Sequence, residues 1–245
     1  MVLFSLAVGT VLNDALGQYS GKFTGENQLF RAMLELLEPH DVVLVDRYYA
    51  SFGDFALRDQ RNVRLVTRQQ QLRTTDVRRG TRLGQGDHLV TWAKPQQRPY
   101  GLDRETYDRL PGELLLREVR IRVEQSGFRV HEYVLVTTRY DHEQSTTDDL
   151  ADLYRQRWYA ERNLRSLKSA MQMDHLRCLT PEMIRKEIAM HLLADNAVRR
   201  VMAEAARHHD LRPTAVSFTG ARQTLRAFHE QGLLEHAPTL DTVAT

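Results

Sequence analysis

Residues 42–45 are four consecutive apolar side chains that end abruptly at Asp46, and this run constrains the fold more than any other feature. An apolar run without alternation is typical of a strand covered on both faces of a sheet. Before it, residues 27–37 carry apolar side chains at helical spacing, and after it residues 63–67 repeat the buried-strand pattern. With a hairpin at residues 2–16, the order hairpin, helix, strand, helix, strand predicts an α/β fold.

The pattern changes after Arg68, where short alternating runs are joined by Gly and Pro turns. Such runs predict antiparallel ribbons, the clearest being a hairpin over residues 118–134 closed by residues 125–127. Helical patterns resume as a long helix over 145–173, further helices over 181–209 and a short one near 221–230. We therefore expect four parts: a first part of the core at 1–67, a β-rich insertion at 68–144, a second part of the core at 145–210 and a tail at 211–245.

Composition excludes several classes of protein. The chain has 245 residues and a single cysteine, Cys178, which rules out an internal disulfide framework and favours a reducing cytosol. No uncharged apolar stretch approaches the roughly 20 residues that a membrane span requires. The apolar start at residues 2–12 lacks the preceding basic residues of a secretory leader, so we interpret it as buried strand.

Positive charge is concentrated in one segment, although the net charge of the whole chain is only +2. Residues 47–100 contain 11 Arg or Lys against 4 Asp or Glu, a local excess of +7, and ten of the eleven cations are arginine. The planar guanidinium suits phosphate oxygens, which favours nucleic acid as the partner. A GC-rich genome would also enrich arginine over lysine, and both explanations stay open.

Four polar residues of the predicted long helix share one face. Tyr154, Arg157, Glu161 and Lys168 are separated by 3, 4 and 7 residues, which places them within an arc of roughly 60° on one continuous helix. Solvated carboxylate–cation pairing would produce the same spacing. Asp46 favours a functional interpretation, since open α/β sheets bind ligands at the carboxyl ends of their strands, although a turn or cap role would also suit it.

These residues carry a resemblance to a known family. Residues 154–168 resemble the Y-x2-R-x3-E-x6-K signature of bacterial insertion-sequence transposases of the YREK type, the insertion sequence 4 family, and match it at all four positions. Residues 43–49, Val-Leu-Val-Asp-Arg-Tyr-Tyr, are similar to the strand and turn that supply the second carboxylate in that group. The resemblance implies a ribonuclease-H-like core interrupted by a β-rich insertion.

The resemblance also implies roles for individual residues. Asp46 would be the second aspartate and Glu161 the glutamate of a site that holds two Mg²⁺ or Mn²⁺ ions about 4 Å apart. Tyr154, Arg157 and Lys168 would hold DNA phosphates near the transposon end. The expected partner is double-stranded DNA carrying terminal inverted repeats, and the expected assembly of the complete enzyme is a homodimer associated with the nucleoid.

One part of the family pattern is missing. Relatives of this kind place their first aspartate on a strand ahead of the hairpin at residues 2–16, and no matching strand precedes it here. We therefore expect a chain truncated at its N-terminus and inactive alone. Two alternatives stay open: a non-catalytic DNA-binding or regulatory remnant, and a different ribonuclease-H-like nuclease, which would leave the Tyr and Arg spacing unexplained.

Two tryptophans could stack on DNA bases. Trp92 lies in the predicted insertion and Trp158 beside the apolar stripe of the predicted long helix. Because large aromatic side chains contribute strongly to protein cores, we expect packing for both.

Overall fold

The computed structural model describes residues 1–18, 25–71, 73, 76, 80–123 and 131–232. Its strands are β1 (Val2–Phe4), β2 (Val11–Asp14), β3 (Val42–Leu44), β4 (Arg64–Arg68), β5 (Thr81–Gly84), β6 (Asp87–Ala93), β7 (Glu113–Val123) and β8 (His131–Thr137). Its α-helices are α1 (Glu26–Ala32), α2 (Phe52–Asp59), α3 (Arg104–Arg109), α4 (Thr147–Arg155), α5 (Arg157–Arg165), α6 (Pro181–His208) and α7 (Phe218–Glu230). The mixed α/β class expected from the sequence is confirmed.

The chain forms two compact units. The first contains Met1 and residues 17–157, and the second contains residues 2–16 and 158–245. Among the described residues, no helix combines the length and apolar character that crossing a bilayer requires.

A six-stranded sheet with the order β3-β4-β8-β7-β6-β5 forms the first unit. β3 pairs in parallel with β4, and every other neighbouring pair is antiparallel. The antiparallel ribbons predicted after Arg68 are thus confirmed, and they continue the same sheet as β3 and β4. The residues predicted to close the β7–β8 hairpin, 125–127, lie outside the described part of the chain.

Helix α4 covers one face of this sheet. Leu150 and Tyr154 of α4 pack into a core with Val66 of β4, Ile121 of β7 and Leu135 of β8. On this face the strands contribute alternate side chains, as a half-buried sheet requires. The core holds α4 against the strands and therefore determines where its C-terminal end lies.

Trp92 is a packing residue, as expected. It is only 4% exposed, and its ring meets Phe55 of α2 edge-on, with ring centroids 5.6 Å apart. Its indole N–H donates to Glu118 over 3.1 Å, and the Arg73 guanidinium lies 3.6 Å above the ring. A buried indole normally finds such a partner.

A buried ion pair joins β6, β7 and the start of α4. Arg117 is fully buried and donates to both carboxylate oxygens of Asp87, through Nε over 2.8 Å and through Nη2 over 2.5 Å. Its Nη1 donates to the Ser145 carbonyl over 2.7 Å, just before the Thr146 N-cap of α4. A charge this deep is tolerated only when it is paired and hydrogen-bonded.

The second unit is built around the 28-residue helix α6, which begins with Pro181 in its first turn as predicted. The β1–β2 hairpin docks on this helix through Asn196, whose side-chain amide accepts from the Val11 N–H over 2.7 Å and donates to the Val11 carbonyl over 2.9 Å. Leu167 and Leu192 form a core with Val11. The short C-terminal helix expected near 221–230 is also confirmed as α7.

The continuous helix predicted over residues 145–173 is wrong. The chain turns at Gln156, separating α4 from α5, and a π-helical turn, Ser166–Ala170, follows α5. Tyr154 is buried in the core of the first unit, and Leu167 is buried in a core of the second. The predicted 60° arc assumed one continuous helix, whereas Tyr154 lies on α4, Arg157 and Glu161 lie on α5, and Lys168 lies on the π-helical turn.

Glu187 on α6 stabilises the preceding loop in a pH-dependent way. Its carboxylate accepts from the Arg177 N–H and the Cys178 N–H over 2.9 and 3.0 Å, and these bonds lower the pKa of Glu187. A lowered folded-state pKa gives stabilisation that is complete above the ordinary glutamate value of about 4.3 and is lost as pH falls.

Replacing Glu187 by Gln should therefore reduce stability more at pH 7 than at pH 3.5, measured by urea unfolding at both values. Glu182→Gln is the matched control, because Glu182 lies on the same helix and pairs only with exposed Lys186. Equal pH dependence in the two variants would contradict the role assigned to these hydrogen bonds.

Candidate functional site

Asp46 lies at the carboxyl end of β3, where the sequence predicted it. It caps a 3-10 turn, Arg47–Tyr49, and its Oδ1 accepts a hydrogen bond from the Tyr48 N–H over 3.2 Å. The side chain is 51% exposed, so the carboxylate is accessible to solvent. This turn orients the carboxylate while leaving Oδ2 directed to other partners.

Arg157 is the first residue of α5 and lies beside Asp46. Its Nη1 is 4.0 Å from Asp46 Oδ2, and its side chain is 19% exposed. The guanidinium carbon is 5.8 Å from the centre of the Tyr154 ring. The first unit therefore brings together three of the five predicted site residues, Asp46, Tyr154 and Arg157.

Tyr154, for which the resemblance implies contact with a DNA phosphate, is buried. It is 7% exposed and belongs to the core beneath Arg157. Burial raises the pKa of the Tyr154 hydroxyl, and the positive charges of Arg157 and Arg68 partly offset that rise. A neutral phenol in this position supports the guanidinium from below.

Glu161 and Lys168 belong to the second unit. Glu161 is exposed on α5, and Lys168 is exposed on the π-helical turn that follows. Two residues beyond Glu161, the Asn163 side chain accepts from Arg199 Nη1 over 3.0 Å. Arg199 in turn donates to Asp195 over 2.7 Å, which ties α5 to α6 and determines where Glu161 lies on this unit.

One acidic–aromatic contact near Asp46 escaped the sequence reasoning. The Tyr49 hydroxyl donates to Glu26 at the start of α1 over 3.2 Å, and the Tyr49 ring packs against Phe30 with centroids 4.7 Å apart. Burial and the Glu26 charge raise the pKa of Tyr49. The sequence signal for this contact is the aromatic pair Tyr48-Tyr49 that follows Asp46-Arg47.

The arginine-rich segment is partly structural. Arg58 is fully buried against Phe30 and Asp54, and burial lowers its pKa to about 10. Arg68 lies 3.8 Å above the Tyr133 ring. Several of the cations counted in the sequence therefore contribute to packing, and the local charge excess overstates the phosphate-binding surface.

Trp158 contradicts its predicted packing role. The side chain is 62% exposed at the start of α5. The prediction placed it beside an apolar stripe of one long helix, but no residue of α5 is buried.

The carboxylates fit a hard divalent ion as single ligands. Asp46 has a solvent-accessible carboxylate oxygen beside the Arg157 guanidinium, and the Glu161 side chain is exposed. Carboxylate oxygens are the donors that Mg²⁺ and Mn²⁺ prefer. Within the described ranges, no group of three or more His, Cys, Asp or Glu side chains is arranged to hold a metal.

Comparison with known families identifies the chain. Residues 3–197 match the family model described as "Transposase DDE domain". The chain belongs to this DDE transposase family. The transposase domain is 29% identical over 215 residues to transposase InsG for insertion sequence element IS4 of Escherichia coli (strain K12). That alignment covers 84% of this chain but 42% of the relative, so the transposase domain spans less than half of the relative's length.

The family resemblance inferred from residues 43–49 and 154–168 is thereby confirmed, and both segments lie inside the matched range. The roles of individual residues in this transposase domain stay predictions.

Proposed function

We propose that this domain takes part in cut-and-paste transposition, with Asp46 and Glu161 as ligands of Mg²⁺ or Mn²⁺ in a ribonuclease-H-like core. The observation that supports it most is the juxtaposition of Asp46 and Arg157 at the carboxyl end of β3, inside a matched transposase domain. Arg157 matches a position of the Y-x2-R-x3-E-x6-K signature, and Asp46 lies in the strand-and-turn segment that resembles the one carrying the family's second carboxylate. The substrate would be double-stranded DNA at the terminal repeats of the element.

Each residue has a distinct task in this proposal. The Tyr48 N–H holds one oxygen of Asp46, which leaves the other to bind a cation. Two divalent ions bound by the carboxylates would activate the attacking hydroxyl and stabilise the leaving oxygen during in-line attack on phosphorus. Arg157, supported by the buried Tyr154 ring, would hold a phosphate next to Asp46, and exposed Lys168 would hold another.

DNA binding should depend on Arg157. Arg157→Gln removes a guanidinium that hydrogen-bonds a phosphate, so we expect roughly tenfold weaker binding and a salt-dependence slope lower by about 1. Fluorescence anisotropy of a labelled duplex across a salt series measures both. Arg155→Gln is the matched control, because Arg155 is 49% exposed and pairs with Asp152 on α4. Equal losses in the two variants would contradict a specific role for Arg157.

Metal binding should depend on both carboxylates. Asp46→Asn and Glu161→Gln each remove a charged oxygen ligand, and each should weaken Mn²⁺ binding roughly tenfold or more. Isothermal titration of the domain with Mn²⁺ in the presence of duplex DNA measures the affinity. Asp152→Asn, an exposed carboxylate of α4, is the control.

The double variant tests whether Asp46 and Glu161 hold the same ions. If they do, their effects on Mn²⁺ affinity are not additive, because residues that share a ligand are coupled. Strictly additive effects would show that the two carboxylates act at separate sites and would overturn the proposed active site.

A second candidate function is DNA binding without cleavage. The local excess of +7 over residues 47–100 favours it. A nicking assay with the purified 245-residue polypeptide, Mn²⁺ and supercoiled plasmid separates the two. Cleavage that is lost in Asp46→Asn supports the catalytic proposal; binding without cleavage supports the second candidate.

A further inference from the structure

The first unit contains a basic concavity on the sheet face opposite α4. It has a volume of about 780 Å³ and lies along β5, β6, β7 and β8. Arg82, Arg120 and Arg122 line it. We name these three residues and the space between them the arginine concavity.

The sheet register places these arginines on one face. Side chains of a strand alternate, so Arg120 and Arg122 of β7 point away from Val119 and Ile121, which lie in the core under α4. In the strand ladders Arg82 is opposite His88, and His88 is opposite Glu118. Residues directly opposite each other share a face of the sheet, and Glu118 shares its face with Arg120, so Arg82 lies on that face too. The arginine concavity is therefore a surface of the first unit separate from the one that carries Asp46.

The charges of the concavity favour an anion. Of its acidic lining residues, Asp87 is opposite Val119 on the α4 face and its carboxylate is bonded to buried Arg117, whereas Glu132 stands opposite Arg122 in the β7–β8 ladder. Within the described part of the chain, Arg82 donates to the Gly84 carbonyl over 3.3 Å and to no other residue, and Arg120 forms no ion pair. Two guanidinium groups thus keep donors for an incoming ligand.

A buried histidine at the base of the concavity is a second, independent observation. His88 lines it, is 2% exposed, and has no hydrogen-bond partner within the described residues for either ring nitrogen. Its Nε2 is 3.5 Å from Glu118 without hydrogen-bond geometry. Buried polar atoms are normally hydrogen-bonded, so a buried ring that makes no hydrogen bond to the described residues, at a basic concavity, indicates a place for a polar ligand.

The backbone around the arginines is also accessible. Gly80, Gly84 and Gly86 line the concavity without side chains. Gly86 has a φ of +72°, and a Cβ there would lie 3.1 Å from the Arg120 Cβ. The glycine thus leaves room directly beside the Arg120 stem.

We propose that the arginine concavity binds phosphates of a DNA backbone, as a second contact surface separate from the one at Asp46. This rests on the proposed function, because it takes DNA as the partner. Arg82 and Arg120, the two arginines with available donors, lie on the same face of the sheet and line the same concavity, so both can contact phosphates of one backbone. Phosphate contacts carry no sequence information, so the surface adds affinity equally to transposon-end and unrelated duplexes.

The test is a salt series of duplex binding measured by fluorescence anisotropy. Log affinity falls as log salt rises, and the Arg82→Gln/Arg120→Gln double variant should make this fall less steep by about 1.8. The reduction should be equal for a transposon-end duplex and an unrelated one. Arg104→Gln is the control, since Arg104 on α3 is 86% exposed, pairs with Asp108 and lies outside the concavity. Thermal unfolding of each variant confirms that the fold is intact.

Two outcomes separate this inference from the proposed function. If the slope falls in Arg157→Gln but not in the double variant, the arginine concavity is not a DNA surface and the proposed function stands. If the unaltered chain binds no duplex at low salt, the proposed function fails and the inference fails with it. A slope reduced by the double variant but not by Arg104→Gln, with His88 ring resonances that shift on adding DNA to the unaltered chain, supports the inference.

Discussion

Replacing Asp87 by Ala lowers the free energy of unfolding by about 3 to 5 kcal/mol, the cost of leaving a buried charge without its partner. Arg117 is fully buried, and Asp87 is its bidentate partner. Without that carboxylate, Arg117 keeps its bond to the Ser145 carbonyl, which does not neutralise the charge. Thermal unfolding followed by circular dichroism should show a drop of about 10 °C.

The control and the rescue make this prediction specific. Asp108→Ala removes the exposed ion pair with Arg104 and should cost no more than about 1 kcal/mol. Asp87→Leu combined with Arg117→Met replaces the pair by apolar side chains and should recover most of the loss, because the desolvation cost disappears with the charges. A double variant as unstable as Asp87→Ala would show that altered packing at this position, rather than the unpaired charge of Arg117, causes the loss of stability.

Loss of Asp87 should also affect the candidate site. Arg117 bonds the chain immediately before the Thr146 N-cap of α4, and α4 ends next to Arg157. Loss of Asp87 should therefore also weaken DNA binding through Arg157 at temperatures where the domain is still folded.

The second large loss of stability is expected when Arg199 of α6 is replaced. Arg199 is 3% exposed and bonds residues of both α5 and α6. Arg199→Met leaves the fully buried Asp195 carboxylate without its cation and breaks the bond to Asn163, so we expect a loss of about 3 to 5 kcal/mol. Arg200→Met, one residue away on the exposed face of α6, is the matched control. Equal urea unfolding midpoints for the two variants would contradict the prediction.

The loss at Arg199 should depend on pH in a defined direction. Burial raises the pKa of Asp195, and the hydrogen bond and charge of Arg199 oppose that rise. Removing Arg199 raises the pKa further, so the folded state binds a proton more tightly than the unfolded state. The penalty is therefore complete at high pH and shrinks as pH falls through the folded-state pKa. The deficit of Arg199→Met should be smaller at pH 5 than at pH 8.

Much of the architecture was predictable from local pattern. The run at 42–45 predicted β3 and the position of Asp46 at its end, and Pro181 predicted the first turn of α6. Short alternating runs predicted the antiparallel ribbons of β6, β7 and β8. Strand β5 and helix α3 were missed, because their four and six residues are too short to establish a period.

The candidate site was predictable in its residue types but not in its arrangement. Spacing alone predicted one helix that carries Tyr154, Arg157, Glu161 and Lys168. Local periodicity carries no information about which hydrophobic core each part of such a segment joins. In the fold, Tyr154 is buried in one core and Leu167 in another, and the chain turns at Gln156 between them. Trp158 is exposed, contrary to the packing predicted for it.

The sequence by itself determined the family, the mixed α/β class and the carboxylate that ends β3, since these depend on residue identity and short-range periodicity. Tertiary structure alone decided which arginines are structural and which remain accessible: Arg117 and Arg58 are buried, whereas Arg82 and Arg120 are exposed. The physical reason is that burial and ion pairing depend on residues distant in sequence, such as Asp87 for Arg117, 30 positions away.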